Sequence, residues 1–177
     1  AARYEDCGRS KRVHVAMSGR NIGDLLSAGN ISWGYFGEGF RATSRRPDGT
    51  AVCASSHANL AGRSYRDYIA GGTVEPFQYW ASTANPHHRP PASTTEIGNA
   101  GRANHQYDLS DFWRASDTGR MPAVSFIKPA AYENGHPGNS DPLDEQRFLV
   151  NTINRIQRLP TWPSTAIVIA YDDSDGW

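Results

Sequence analysis

The chain has 177 residues, enough for one domain with a hydrophobic core. Apolar residues at 38% and charged residues at 20% read as globular and exclude a highly charged disordered chain. The formal net charge is zero, which excludes recruitment of nucleic acid or an acidic membrane by a global field.

The first twenty residues are polar and weakly patterned. In "NIGDLLSAGNISWGYF", Asn21 can cap a short helix carrying Ile22, Leu25 and Leu26, and Gly29 can stop it. "ISWGYF" then reads as a strand, and "GYFGEGF" as the turn after it, with Glu38 toward the sheet edge. That glycine-rich turn lacks the Gly-Lys-Ser/Thr of a phosphate-binding loop and the spacing of a dinucleotide fingerprint. Residues 37–60 read as an excursion with little regular structure, and "RSYRDYIAG" as one or two helical turns. Residues 81–104 form a second irregular excursion, of a length usually associated with a site.

"YDLSDFWRAS" is a short helix capped by Asp108 or Ser110, with Leu109, Phe112 and Trp113 on its apolar face. "PAVSFIK" is a strand. From Pro142 to about Leu159 an amphipathic helix follows, with Leu143, Phe148, Ile153 and Ile156 at helical spacing and Asp144, Glu145, Arg147, Arg155 and Arg158 on its polar side. "TAIVIAY" is a continuous, β-branched run, the pattern of a strand buried on both faces. Strand, helix and strand in this order predict a βαβ unit in which "PAVSFIK" and "TAIVIAY" are parallel neighbours. Fold class is therefore α/β, in one domain over 1–177.

Parallel sheets bind ligands beyond the carboxyl ends of their strands. Asp172 and Asp173 stand there, directly after "TAIVIAY". Two adjacent carboxylates repel, and a hard divalent cation relieves the repulsion; the bland alternative is a solvated turn with an Asx hydrogen bond. His136 follows "PAVSFIK", so the βαβ unit predicts it on the same edge as the aspartates, able to bind a metal or phosphate or to move a proton. It can equally be an ordinary loop histidine. His87 and His88 can reach a phosphate or a metal, or be polar surface. His105 reads as a hydrogen-bonding residue as readily as a site group, and His14 and His57 carry no motif. No serine sits in a Gly-x-Ser-x-Gly elbow. Cys7 and Cys53 can pair in an exported protein, or Cys53 can be a small buried hydrophobe. No run is apolar enough to span a bilayer. A signal peptide is not visible, and a mature chain whose signal had been removed would read the same.

Taken together, "MSGRNIGDLLSAGNISWGYFGEGF", "PFQYWASTANPHHRPP", "NHQYDLSDFWRA", "MPAVSFIKPAAYENGHPGNSDPLDEQRFLVNTINRIQ" and "STAIVIAYDDSDGW" resemble the bacterial phosphoesterase family, which contains phosphocholine-type phospholipases C and secreted acid phosphatases. The resemblance runs from about Met17 to the end. It implies an alkaline-phosphatase-like three-layer α/β/α fold with a mostly parallel sheet, export from the cell (secreted or periplasmic), and hydrolysis of phosphate esters or phospholipids. It also implies a divalent metal cation on Asp172 and Asp173, a phosphoryl contact from His136, and a second phosphate-facing histidine at His87 or His88. The family's Glu-Asn metal ligands and its Ser or Thr nucleophile, which forms a covalent phospho-enzyme, lie ahead of the region matched here. The resemblance thus implies that these residues are an internal part of a larger domain, and a poor catalyst alone. Two alternatives stand beside it: a non-catalytic binding module on the same scaffold, and a related enzyme acting on sulfate esters or a phosphonate.

Overall fold

The computed structural model describes residues 1–8, 13–69 and 75–171. Its centre is strand β1, Trp33–Gly37, buried along its whole length. Strands β6, Gln106–Asp108, and β7, Val124–Lys128, pair with β1 on either side, both parallel to it. The sheet is therefore ordered β6-β1-β7, with all three carboxyl ends on one edge.

The alternation of β1 explains the layers. Trp33 and Tyr35 point to one face and pack with Phe77, Leu26, Val124 and Phe126. Phe36 points to the other and packs with Tyr107, Leu109, Phe112 and Ile156. Helix α1, Ile22–Ala28, and the 3₁₀ turn Pro76–Tyr79 cover the first face. Helix α2, Leu109–Asp117, and helix α3, Pro142–Ile156, cover the second. This is a helix–sheet–helix sandwich compatible with part of an alkaline-phosphatase-like α/β fold.

The predicted caps form. Asn21 accepts from the Asp24 amide, and Asp24 accepts from the Asn21 amide in return. Asp108 caps α2. At the start of α3, where the sequence pattern predicts only Pro142, Asp141 and Asp144 form a reciprocal box. Leu25 and Ile22 are each about half exposed, however, so α1 buries Gly23 and Leu26 rather than the whole predicted stripe. The reason is steric: a β-carbon on Gly23 would lie 2.3 Å from the Trp33 ring, so the helix lies flat on Trp33 along its glycine.

The two excursions carry more structure than their composition predicts. In the first, β2, Ser44–Arg45, pairs with β3, Ala51–Val52, and β4, Ser56–Ala58, pairs with β5, Ser64–Arg66, both antiparallel. The helical turns expected in "RSYRDYIAG" are thus replaced in part by β5. The turn between β4 and β5 decides this, since Gly62 adopts φ +76° and the Asn59 side chain accepts from the Arg63 amide. In 81–104 the Glu96 carboxylate accepts from the amides of Ala92 and Ala103, which folds the loop on itself.

The predicted parallel pair of "PAVSFIK" and "TAIVIAY" does not form. β7 pairs with β1 alone among the described residues. Residues 165–171 are irregular, with Val168 88% exposed, and border a groove of about 470 Å³ against β7 and α3. A strand apolar on both faces needs cover on both. Among the described residues only the β7 and α3 side of this segment has any.

Candidate functional site

The carboxyl edge of the sheet carries three connections. After β1 comes Glu38-Gly39-Phe40, whose Glu38 amide donates to the Lys128 carbonyl at the end of β7. Asp108, at the end of β6, accepts from the Arg41 amide through its carboxylate as well as capping α2. After β7 comes a loop with a 3₁₀ turn, Ala131–Glu133, that carries Tyr132, Glu133 and His136. The β4–β5 hairpin closes over this loop. Asn59 donates to the Asn139 carbonyl, Tyr65 to the Gly138 carbonyl, and the Ala131 amide to the Asp67 carbonyl.

His136 is exposed. Its backbone amide donates to the Asn134 side chain at 2.9 Å, and its Nδ1 donates to the Pro137 carbonyl at 2.7 Å. Nε2 is therefore the nitrogen left without a hydrogen-bond partner among the described residues. Next to it on the loop, Glu133 shares a hydrogen bond with Glu38 across the ends of β7 and β1. Burial first, then that bond and the Glu38 charge, push the Glu133 carboxyl up to about 9. Tyr132 is raised by burial and by the same two glutamates.

His87 and His88 occupy a different environment, beside the connection after β1. His88 is fully buried; its Nδ1 bonds the Phe40 carbonyl at 2.7 Å and its Nε2 bonds the Glu5 carboxylate at 2.5 Å. Both ring nitrogens are thereby engaged within the protein. Glu5 also accepts from the Tyr68 hydroxyl and the Gln78 side chain. His87 is half exposed and bonds Asp6 at 2.9 Å through Nδ1, leaving Nε2 outward. No hydrogen bond, ion pair or ring contact joins His136 to either member of the pair among the described residues. Asp172 and Asp173 lie outside the described residues.

Cys7 and Cys53 form a disulfide next to His88. Their sulfurs and His88 Nδ1 lie within 4.8 Å of one another. The sulfurs are bonded to each other rather than present as thiolates, so this trio does not fit a metal. Nearby, Glu75 is buried with one carboxylate oxygen unpartnered among the described residues. Burial, then the Glu5 charge, raise its pKa well above the carboxylate range.

Sequence reasoning passed over two groups. His57 bonds the buried Asp67 carboxylate at 2.8 Å, and its ring lies 5.3 Å from that of Tyr132. It lacks a motif because its partner is ten residues away across a hairpin. The Glu38–Glu133 pair joins residues 95 apart in sequence, with no local signal beyond the position of each after a strand. His105, by contrast, is a hydrogen-bonding core residue: it stacks on Trp33 at 4.3 Å and bonds the Trp33 carbonyl, and burial lowers its pKa.

Comparison with known proteins settles the family. The phosphoesterase family matches residues 4–177. The chain belongs to that family. Among curated proteins, the non-specific phospholipase C6 of Arabidopsis thaliana is 29% identical over 79 residues, a match covering 41% of this chain and 15% of the plant protein. This member of the phosphoesterase family therefore corresponds to a small part of that relative's length. No helix among the described residues is long and apolar enough to cross a membrane.

Proposed function

We propose that the protein is a hydrolase of phosphoric ester bonds, of the phospholipase C or acid phosphatase type, and that the carboxyl edge of β1, β6 and β7 is its active face. The observation that carries this reading is the family match over residues 4–177. The geometry supports it, since parallel strands bring His136 to the edge where such sheets bind ligands, with Nε2 unpartnered among the described residues. In this reading His136 contacts a phosphoryl oxygen. Of the neighbouring pair, His87 is the member with an outward nitrogen, and His88 holds the loop through Glu5 and Phe40.

Asp172 and Asp173 would hold a divalent cation, which when bound stabilises negative charge on the phosphoryl oxygens. The carboxyl-rich edge is hard-donor chemistry of the kind such ions prefer. A Ser or Thr hydroxyl forms the covalent phospho-enzyme, as the family resemblance implies. The Cys7–Cys53 disulfide supports a secreted or periplasmic location, where such bonds persist.

The test is hydrolysis of p-nitrophenyl phosphate and of a phosphocholine ester by the natural gene product, with and without a chelator, beside Asp172→Ala. Turnover abolished by the chelator and by the substitution is the expected result. Background rates with both esters, together with saturable binding of them, would favour the binding-module reading instead. Substantial turnover by the 177-residue chain alone would place a nucleophile within these residues.

A further inference from the structure

Three histidine–carboxylate pairs exist among the described residues, and they differ in what they leave free. His88 with Glu5 is sealed in the core, both nitrogens used. His87 with Asp6 is half exposed, but the same Asp6 oxygen also accepts from the Ala51 amide, and the pair lies on the disulfide side. His57 with Asp67 joins an imidazole 59% exposed to a carboxylate 3% exposed.

That asymmetry is the arrangement of a proton-transfer dyad. A buried carboxylate accepting from Nδ1–H fixes the tautomer, presents Nε2 outward and stabilises the imidazolium when it forms. Asp67 is itself held firmly: its amide donates to the Ser55 carbonyl and its carbonyl accepts from the Ala131 amide. Gly39 backs it from the end of β1, where an added β-carbon would lie 2.5 Å from the Asp67 β-carbon. The dyad is thus fixed to the connections after both β1 and β7. The bonds from Asn59 and Tyr65 to Asn139 and Gly138 place its hairpin against the loop of His136.

We propose that His57, positioned by Asp67, is the proton donor to the leaving-group oxygen of the phosphoric ester. The inference rests on the phosphoesterase reading above. A hydroxyl nucleophile, its proton passing to solvent water, forms the new phosphorus–oxygen bond as the ester phosphorus–oxygen bond breaks. The electron pair of the broken bond stays on the leaving oxygen, which takes the Nε2 proton. Neutral His57 then accepts one proton from the water that hydrolyses the phospho-enzyme, which restores the imidazolium, while the nucleophile oxygen released from phosphorus regains its proton from solvent. His136 keeps its separate role at the phosphoryl oxygens.

The test compares the natural gene product with His57→Gln and Asp67→Asn on aryl phosphates of rising leaving-group basicity, from 2,4-dinitrophenyl to phenyl phosphate. A stable leaving group needs no proton, so its rate should fall by no more than about threefold, whereas phenyl phosphate should lose about 100- to 10,000-fold, the usual worth of a positioned acid. Asp67→Asn should show the same graded loss, smaller in size, because it acts through the orientation of His57. His57 is on the surface, so His57→Gln is expected to fold, and its melting curve checks this. Equal loss across the series, or none, overturns the dyad and leaves the phosphoesterase reading standing. Failure of the unsubstituted protein to hydrolyse any of these esters overturns the phosphoesterase reading, and the dyad with it.

Discussion

At the scale of single residues, the edge is built from groups whose ionisation the fold has altered. Glu133 keeps its proton up to about pH 9 in the folded protein, whereas in the unfolded chain it loses it in the ordinary carboxylate range. The folded state therefore binds more protons throughout that window. Stability from this group is complete below the ordinary range and is lost as pH rises toward 9. Glu133→Gln keeps the neutral form at every pH, so its denaturant midpoint should fall less steeply than that of the unsubstituted protein as the pH is raised. Parallel profiles would mean that burial beside Glu38 does not raise the Glu133 carboxyl. Gly39 makes a second residue-level prediction. It sits at φ +75° with the Asp67 backbone 3.1 Å from any added β-carbon. Gly39→Ala should cost about 1–3 kcal/mol in urea melts, from backbone strain and the clash together. A cost near zero would show that the connection after β1 moves freely against Asp67.

At the scale of elements, what was legible in the sequence had local causes. Asn21, Asp108 and Pro142 announced their helices because capping is decided within one turn. "ISWGYF" and "PAVSFIK" announced strands by apolar runs between turn residues. The position of His136 on the sheet edge was legible because its loop follows a strand end. The misses share the opposite property. β5 depends on a pairing across Gly62, and the burial of His88 depends on Glu5, 83 residues away. Asp144, read as part of the polar side of α3, is buried because its carboxylate also accepts from the Leu60 amide. Asp144→Ala should therefore cost more than an ordinary cap. It leaves the Leu60 and Asp141 amides unpartnered together, and about 2 kcal/mol or more is expected in urea unfolding. A loss below about 0.5 kcal/mol, the range of a plain surface change, would show that the hairpin does not depend on α3.

At the scale of the whole molecule, two devices tie the amino-terminal residues to the sheet edge. One is the buried Glu5 network with His88, Tyr68 and Gln78. The other is the Cys7–Cys53 bond, which closes a separation of 46 residues. Loop-closure entropy assigns such a cross-link about 4 kcal/mol. Reduction, or Cys7→Ser with Cys53→Ser, should lower the unfolding free energy by a large part of that, and an unchanged melt would remove the disulfide from the account of stability. The sequence pattern also called for a strand at 165–171 beside β7, and the described residues do not supply it. A continuous apolar pattern reports that both faces of a segment are destined for cover, and it says nothing about which element covers them.

The central claim is that the edge carrying His136 is where phosphoric esters react. The most direct measurement is the steady-state rate of p-nitrophenyl phosphate hydrolysis by the natural gene product and by His136→Ala. Because His136 is exposed and its bonds among the described residues stay within its own loop, the substitution should leave the melting temperature unchanged. The account predicts a fall in kcat/KM of about 100-fold or more, the loss expected of a group stabilising phosphoryl charge. An unchanged rate in a folded His136→Ala protein would contradict it.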